Sequence, residues 1–379
     1  MKSTAIVLST LSVLAAMLGG RIARHTSPLI VHEWGTITTR HASDGTPQGR
    51  LNRISATEVL PAFVHRYEPA ATRDKPDKSL LKGELTPGRP DVTMRLETPV
   101  LYFHAPPNAG PIRAFDVNVS FRGGIVNEFY PSANPSVAVD VERVNAKMEA
   151  GVIPPSWSGD VLDNYVVGRL LWRGISLKDS VALSQTSSHV WLAPRRVHSA
   201  GVTVSGEGER YLFYRGVAHL DALVQTELTA SEVRLRAPRR LAWMRNPTMT
   251  IPRLWLVDIR ADGGVAFREQ KELTITKSGA SRELARLPLF AERDYGAARL
   301  DELRRAMKQS LMTSGLYDDE AEAMLETWKA SYFQAPGLRI FYIVPDEWLG
   351  YFLPLHISTP HELKRVLVGR IDLLRQAAN

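Results

Sequence analysis

Short segments in which apolar and polar residues alternate fill most of the chain from residue 28 to about residue 285. The segment Phe115–Arg122 is the clearest, because every second residue is Phe or Val and the residues between are polar. Such alternation indicates a strand with one face in the core and the other in solvent. Breaks rich in Pro and Gly separate these segments at short intervals, as they do in sandwiches. We therefore predict a mainly β fold, with an antiparallel β-sandwich domain over residues 28–285.

Two features of these strands predict where the sheet is irregular. The alternation in Val92–His104 places five apolar residues on one face: Val92, Met94, Leu96, Val100 and Tyr102. Pro99 has no N–H to donate, so this strand is expected to lie at an edge or to contain a bulge. The pair Gly123–Gly124 predicts a hairpin turn between Phe115–Arg122 and the strand that follows.

The pattern changes to a helical period after about residue 287. In Ala297–Met312, apolar residues recur at the spacing of one helical face, and Tyr317–Tyr332 repeats that spacing. Three acids favour the start of the second helix: Asp318, Asp319 and Glu320. An apolar run, Leu338–Val344, then predicts a buried strand. Residues 286–379 are thus expected to form a smaller α/β tail that contains a helical hairpin.

The amino-acid composition excludes several classes of site. The 379 residues include no cysteine, which rules out thiol nucleophiles, cysteine-zinc sites, iron–sulfur clusters and disulfides. There is no Gly-x-Ser-x-Gly elbow, and the glycine pairs do not precede a helix, as a phosphate-binding loop would require. At 44% hydrophobic residues, a chain of this length can bury a large core without crosslinks.

The net charge of +7 raises the question of an anionic partner. Arginines are spread along the chain among acids, except in the window Arg234–Arg245, which holds five of them and a Trp. The alternation there favours a solvated edge strand, whose charges prevent edge-to-edge pairing. We therefore expect no nucleic-acid partner, whereas an anionic polysaccharide or another envelope component would suit the charge.

The N-terminal residues 1–24 resemble an export signal. Lys2 precedes the apolar run Ala5–Leu18, which is shorter than a membrane-spanning helix requires. No clear Ala-x-Ala cleavage site follows, and Arg21 and Arg24 would have to cross the membrane. We expect a signal peptide or an uncleaved N-terminal anchor, an exported location in the periplasm or outside the cell, and membrane contact only through this segment.

The first predicted strand, Leu29–Thr38, carries the most suggestive residues. His32 and Glu33 are adjacent, so a regular strand would direct them to opposite faces. The metalloprotease signature His-Glu-x-x-His is not matched, because Thr36 occupies the position of the second His. A metal site using His32 would need ligands from other strands, and His65 is the second candidate ligand. Further histidines are available at His104, His189, His198 and His219. The alternative is a structural His bonded to the backbone.

Three glutamates lie inside apolar segments, where an unpaired charge would be costly. They are Glu33, Glu97 and Glu128. In one hypothesis, arginines on neighbouring strands pair with them: Arg95, Arg122 and Arg215. In the other, two of them act as the paired carboxylates of a glycosidase. With His32, these glutamates are our candidate catalytic residues.

Aromatic residues could bind a sugar by stacking if they are exposed on a sandwich face. Trp157 and Trp191 lie in irregular surroundings and are the better candidates for such a platform. Trp34 and Arg215 complete the set of candidate binding residues. Burial in the core is the alternative for each Trp.

Several motifs along the chain carry a resemblance to a family. They include HEWGT at His32–Thr36, ETPVLYF at Glu97–Phe103 and YLFYRG at Tyr211–Gly216. At these motifs the chain resembles a group of uncharacterised, exported bacterial proteins. The resemblance spans most of the chain and implies one fold unit with a tail. It implies no particular activity.

Two classes of function follow from these observations. The first is an exported, non-catalytic protein that binds a ligand or an envelope partner. The second is a metal- or carboxylate-dependent hydrolase acting on an envelope or extracellular substrate, which requires the candidate His and Glu residues to converge in one pocket. No cofactor is predicted. A bound divalent metal is possible and would favour the hydrolase over the non-catalytic protein.

Overall fold

The computed structural model describes residues 29–51, 59–67, 92–106, 112–139 and 166–375. Of these residues, 47% lie in strands and 17% in helices, and the sheets are largely antiparallel, which confirms the predicted mainly β fold. The strands in the first half are β1 Leu29–His41, β2 His65–Arg66, β3 Met94–His104, β4 Phe115–Arg122, β5 Gly124–Tyr130, β6 Asn134–Val139, β7 Val166–Lys178, β8 Gly201–Val204, β9 Glu207–Glu209 and β10 Leu212–Ala218. Those in the second half are β11 Gln225–Leu228, β12 Glu232–Arg236, β13 Thr248–Ile251, β14 Leu254–Ile259, β15 Val265–Gln270, β16 Leu273–Thr276, β17 Glu283–Pro288, β18 Gly337–Ile343, β19 Leu355–Ile357 and β20 His361–Leu373.

Helices are few among the described residues, and most follow residue 290. The α-helices are α1 His189–Leu192, α2 Ala298–Thr313, α3 Asp318–Thr327 and α4 Asp346–Phe352. Short 3₁₀ turns lie at Pro194–Arg196 and Glu292–Asp294, and a π-helical turn at Ala330–Gln334. Helices α2 and α3 form the predicted hairpin, with Leu303, Met307 and Leu311 of α2 buried. No described helix combines the length and the hydropathy needed to cross a bilayer.

One large sheet dominates the molecule. Its main path runs β15-β14-β18-β20-β1-β3-β10-β5-β7-β4-β19, and β2, β6, β8 and β9 attach to strands β5 and β7 or to each other. Strand β20 pairs along its whole length with β1, in parallel, from Leu29 opposite His361 to His41 opposite Leu373. The strands β18 and β20, which follow residue 285, therefore lie in the same sheet as β1, β3 and β14.

The two faces of the central strands pack against different layers. Trp34, Tyr102 and Phe341 share one apolar core with helices α2 and α3. Leu101 and Leu367 point to the other face and share a core with the small sheets β11-β12-β17 and β13-β16. Side chains alternate in this way because successive residues of a strand point to opposite faces.

The irregularity predicted at Pro99 is a bulge in a central strand. Strand β3 lies between β1 and β10, and Thr98 has a positive φ of 48°. On β1 the register shifts between Trp34 and Thr36. Only a glycine fits at position 35 beside this bulge, because a Cβ there would lie 2.8 Å from the Pro99 Cα, which is too close for any side chain. The expected shared face was wrong for this reason: Met94 and Leu96 pack in one core, whereas Val100 and Tyr102, beyond the bulge, pack in the other.

The turn at Gly123 is present, but the predicted hairpin is not. Strand β7 lies between β4 and β5 in the sheet, pairing with β4 along most of its length. Strand β5 instead pairs with β10. The local pattern therefore predicted both strands and the chain reversal correctly, but not their partners.

Candidate metal centre

His32 lies near the start of β1, on the sheet face that the helical hairpin covers. It is 2% exposed, and its Nδ1 atom is 2.7 Å from Oε2 of Glu320 in α3. Trp34, two residues later, points to the same face. The strand period thus sends His32 to the helices and Glu33 to the opposite core, as the alternation predicted.

His104 brings a second imidazole to the same place. Tyr102 of β3 is the register partner of His32, and His104 follows it two residues later, on the same face. Its Nε2 atom is 2.9 Å from Oε1 of Glu320, and the two imidazole centroids are 5.1 Å apart. The antiparallel pairing of β1 and β3 is therefore what makes the two histidines neighbours.

Glu320 reaches both histidines from the first turn of α3. Its Oε2 also accepts a 2.8 Å hydrogen bond from the backbone N–H of Tyr317, the residue that caps this helix. Burial alone would raise the pKa of the Glu320 carboxyl. Hydrogen bonds from His104 and His32 outweigh burial and, with the Tyr317 backbone, lower that pKa to about 2. Glu320 is therefore an anion at neutral pH.

The three side chains fit the requirements of a divalent metal. The ligand atoms of His32, His104 and Glu320 all lie within 4.8 Å of one another. Imidazole nitrogen and carboxylate oxygen bind Zn²⁺ at about 2.0 to 2.2 Å, so a tetrahedral site would place them roughly 3.4 Å apart. Small side-chain shifts would suffice to reach that geometry. A tetrahedral ion held by these three ligands would have one position left for water or another ligand.

Tyr317 closes one side of this centre and leaves another side accessible. Its ring lies 4.5 Å from the His32 ring and 4.9 Å from the His104 ring, which limits how far either imidazole can rotate. The Tyr317 residue is 43% exposed, and the His104 side chain is 12% exposed. Solvent therefore reaches the centre from the side of His104 and Tyr317.

Glu33 lies outside the centre, in a buried ion pair. Its Oε2 accepts a 2.5 Å hydrogen bond from Nε of Arg365 in β20, and its Oε1 accepts one of the same length from the Tyr214 hydroxyl. Burial first, and then the charge of Glu33, hold the pKa of Tyr214 well above its usual value, so the phenol remains a donor. Glu33 is a paired acid whose partner is Arg365, an arginine that the sequence did not single out.

The other two candidate glutamates are also paired with arginines. Glu97 lies 3.2 Å from Nε of Arg95, and Glu128 is 3.6 Å from Arg215 and 3.4 Å from Arg66. All three glutamates match the hypothesis of buried Glu–Arg pairs. Among the four candidate catalytic residues, only His32 takes part in the metal centre.

The second metal candidate, His65, contacts a different acid. Its Nε2 is 2.9 Å from both carboxylate oxygens of Glu207, and its side chain is 35% exposed. In the described part of the chain, the only group of three potential ligands is the His32, His104 and Glu320 set. His189 and His198 each approach a single acid, Glu326 and Asp319 respectively.

The candidate binding residues do not form an exposed platform within the described residues. Trp191 is 1% exposed and donates its indole N–H to Glu209, so a sugar ring could not stack on it. Trp34 and Arg215 are also buried. Trp157 lies outside the described residues.

The charges of the basic window are partly balanced where it forms β12. Arg234 is 2.8 Å from Glu232, and Arg236 is 3.3 Å from Glu227 on the neighbouring strand. Strand β12 lies between β11 and β17, so it is a central strand of a small sheet rather than the edge strand that the sequence predicted. An absence of nucleic acid among the partners stays a prediction.

The sequence alone did not mark Glu320 as a candidate ligand, and it gave His104 no preference over the other histidines. Glu320 stood out only as one of three acids at a helix start. Its position three residues after Tyr317 is that of a capping acid, which points back toward the chain that precedes the helix. That signal fixes the direction of the side chain but not the strand opposite it.

Comparisons with known proteins do not assign this chain to a family. No family model matches the chain, and a search of curated proteins found no match either. The resemblance drawn from the HEWGT, ETPVLYF and YLFYRG motifs stays a prediction.

Proposed function

We propose that this chain is an exported metal-binding protein whose His32–His104–Glu320 centre holds one divalent transition metal, with Zn²⁺ the ion that the donor set favours. The single observation that carries the proposal is the convergence of these three ligand atoms within 4.8 Å. They come from β1, β3 and α3, so only the folded chain brings them together. Two imidazole nitrogens and one carboxylate form a donor set typical of zinc.

The surroundings of the three ligands support this assignment. Tyr317 packs against both imidazoles, and its backbone N–H fixes the Glu320 carboxylate. Partners of this kind orient metal ligands before the ion arrives. Because Glu320 is ionised at neutral pH, its charge would offset part of that of the cation.

Zinc binding to the purified full-length protein tests the proposal. After dialysis against a chelator, the protein is titrated with ZnCl₂ alone in a calorimeter, and bound zinc is counted by elemental analysis. We expect one zinc per chain. The variant His104→Gln should bind zinc at least 100-fold more weakly, because it removes one of the three ligands. It should remain folded, because the His104 side chain is partly exposed and its replacement costs little packing.

His65→Gln is the matched control, since His65 also contacts a carboxylate but lies outside the centre. It should bind zinc as tightly as the unaltered protein. Circular dichroism verifies that both variants are folded. Less than half a zinc per chain in the unaltered protein, or equal losses in the two variants, would refute the proposed centre.

A metal-dependent hydrolase is the second candidate, because three protein ligands would leave a coordination position for water and the His104 side chain is 12% exposed. A zinc ion with three protein ligands can bind water in the fourth position and lower its pKa toward neutrality. Hydrolysis of 4-nitrophenyl esters and phosphate esters, measured with zinc-loaded and chelator-treated protein, tests this candidate. Activity that zinc restores and His104→Gln abolishes supports it. Zinc binding without such activity favours the non-catalytic protein.

The carboxylate-dependent hydrolase has less support, because Glu33, Glu97 and Glu128 each contact an arginine.

Export is supported by the apolar run Ala5–Leu18 behind Lys2. Fractionation of a bacterial host that expresses the full chain, with the N-terminus identified by mass spectrometry, tests it. Recovery in the periplasm with a shortened N-terminus indicates cleavage, and recovery in the membrane at full length indicates an anchor. Recovery in the cytoplasm contradicts export while leaving the metal centre unaffected.

A further inference from the structure

A cleft of about 900 Å³ opens at the end of the β1–β20 pair that is remote from the metal centre. The centre lies beside His32, whose register partner is Lys364, whereas the cleft begins where β20 ends, at Leu373. Nine residues of strand separate these two register positions, which corresponds to roughly 30 Å. The cleft is therefore a separate site, and its volume lies within the range of small-molecule pockets.

Part of the cleft wall is apolar and accessible. Leu228, Leu289 and Phe290 are half-buried, and Leu374 is 42% exposed. Only four large apolar side chains are exposed in the described part of the chain, and Leu374 is one of them. Accessible apolar side chains in a concave surface are typical of a binding site.

A buried carboxylate provides a polar contact at the cleft. Asp258, near the end of β14, is 4% exposed. Its Oδ2 accepts a 2.7 Å hydrogen bond from the Tyr295 hydroxyl and a 2.6 Å bond from Arg375. No described residue donates to its Oδ1. Burial and the hydrogen bond to Asp258 raise the pKa of Tyr295, so this hydroxyl keeps its proton and fixes the carboxylate.

The charged groups of the cleft balance one another. Arg375 pairs with Asp258, while Arg260 pairs through two nitrogens with Glu292, at 2.6 and 2.8 Å. The guanidinium of Arg260 also lies 3.5 Å from the centre of the Tyr295 ring. With both arginines already paired, the described residues that line the cleft offer neither a free cation for an anionic ligand nor a free anion for a cationic one. Its chemistry is that of an apolar surface beside hydrogen-bond acceptors and donors.

We infer that this cleft binds an uncharged, hydroxyl-bearing amphiphile of the alkyl glycoside class. The alkyl part packs on Leu374, Phe290 and Leu289, and a sugar hydroxyl donates to Oδ1 of Asp258. This inference does not depend on the metal centre, because it uses residues at the other end of the strands.

Binding of octyl glucoside to the full-length protein, below the concentration at which it forms micelles, tests the inference. Glucose and octyl sulfate serve as comparison ligands, because the first lacks the chain and the second carries a charge. We expect saturable one-to-one binding of octyl glucoside by calorimetry, and at least tenfold weaker binding of both comparison ligands. Octyl sulfate binding as tightly as octyl glucoside would overturn the assignment of an uncharged ligand.

The variant Leu374→Glu places a charge on the apolar wall and should weaken octyl glucoside binding at least tenfold. Leu192→Glu is its matched control, because Leu192 is 37% exposed and lies on α1, away from the cleft. The control should bind like the unaltered protein. Absence of saturable binding, or unchanged affinity in Leu374→Glu with the fold intact by circular dichroism, refutes the site.

Discussion

Glu320 combines two structural roles in one side chain. It caps α3 through the Tyr317 N–H and joins this helix to β1 and β3 through His32 and His104. A buried carboxylate is stable only when its charge is compensated, and three hydrogen bonds supply that compensation here. Any metal that binds would replace two of these hydrogen bonds with coordination bonds, so the helix would remain attached to the sheet.

The ionisation of Glu320 predicts an acid-sensitive stability. Its pKa is lowered from 4.5 to about 2 in the folded protein. The contribution of a group with a lowered pKa is fully present above about pH 4.5 and is lost as pH falls toward 2. A shift of this size corresponds to roughly 3 kcal/mol. Without metal, Glu320→Gln should therefore flatten the pH dependence of the unfolding free energy in this range, measured by urea denaturation.

Glu322→Gln is the control for this measurement, because Glu322 lies on the same helix but is half exposed. Its unfolding free energy should follow that of the unaltered protein across the same pH range. Parallel curves for Glu320→Gln and the unaltered protein would contradict the assigned role of Glu320.

Strands β1 and β20 are held together by an ion pair as well as by their backbone ladder. Glu33 and Arg365 are register partners on the two strands, and Tyr214 of β10 completes the buried group. The contact therefore joins β20, β1 and β10, and it reaches across β3, which lies between β1 and β10. It lies on the face opposite the His32–His104–Glu320 cluster, so the two faces of β1 carry separate polar groups.

Removing one partner of this pair should be strongly destabilising. Arg365→Met leaves the Glu33 carboxylate buried without its cation, which costs about 3 to 5 kcal/mol in comparable buried pairs. The double variant Glu33→Gln with Arg365→Met should lose less than the sum of the two single losses, since neither residue then leaves an unpaired charge. Urea denaturation of the four proteins at pH 7 measures this coupling.

Glu283→Gln is a suitable control, because it breaks an exposed pair with Arg286. It should leave the urea midpoint nearly unchanged, as exposed pairs contribute little. Strict additivity of the Glu33 and Arg365 losses would show that the two residues are not coupled.

The sequence predicted elements better than it predicted their partners. The alternation in β4 and the helical period in α2 are local properties, and both elements lie where expected. The same local pattern gave no information about β7 lying between β4 and β5. It also could not predict the face change at Thr98, because the bulge depends on the fit of Pro99 against Gly35 of a different strand.

In the candidate sites too, local features could be predicted from the sequence and long-range contacts could not. The separation of His32 from Glu33 follows from strand geometry, and the pairing of buried glutamates with arginines follows from the cost of an isolated charge. Glu320 lies 288 residues from His32, and Arg365 lies 332 residues from Glu33. Contacts at these separations depend on which strands pair, which a single sequence does not record.

At the scale of the whole molecule, β20 completes the large sheet. It lies between β1 and β18, so it satisfies the backbone groups of both. Without it, the long apolar strand β1 would present an open edge, the kind of surface that promotes aggregation.

Removal of residues 361–379 should therefore abolish cooperative folding. We expect the shortened chain to lose its single sharp unfolding transition and to form large assemblies in size-exclusion chromatography. Removal of residues 376–379 alone, which follow β20, is the control and should leave both properties unchanged. A monomeric chain that unfolds cooperatively without β20 would contradict the importance of this strand.

The pairing of β1 with β20 also sets a time scale for the newly made chain. About 330 residues separate the two strands, and ribosomes add roughly 5 to 20 residues per second, so β1 waits roughly 15 to 60 s for its neighbour. During that interval one side of β1 has no native partner, and the sheet cannot be completed. Because β20 follows β1 by so many residues, the order of synthesis delays closure of this sheet far more than the intrinsic speed of strand pairing does.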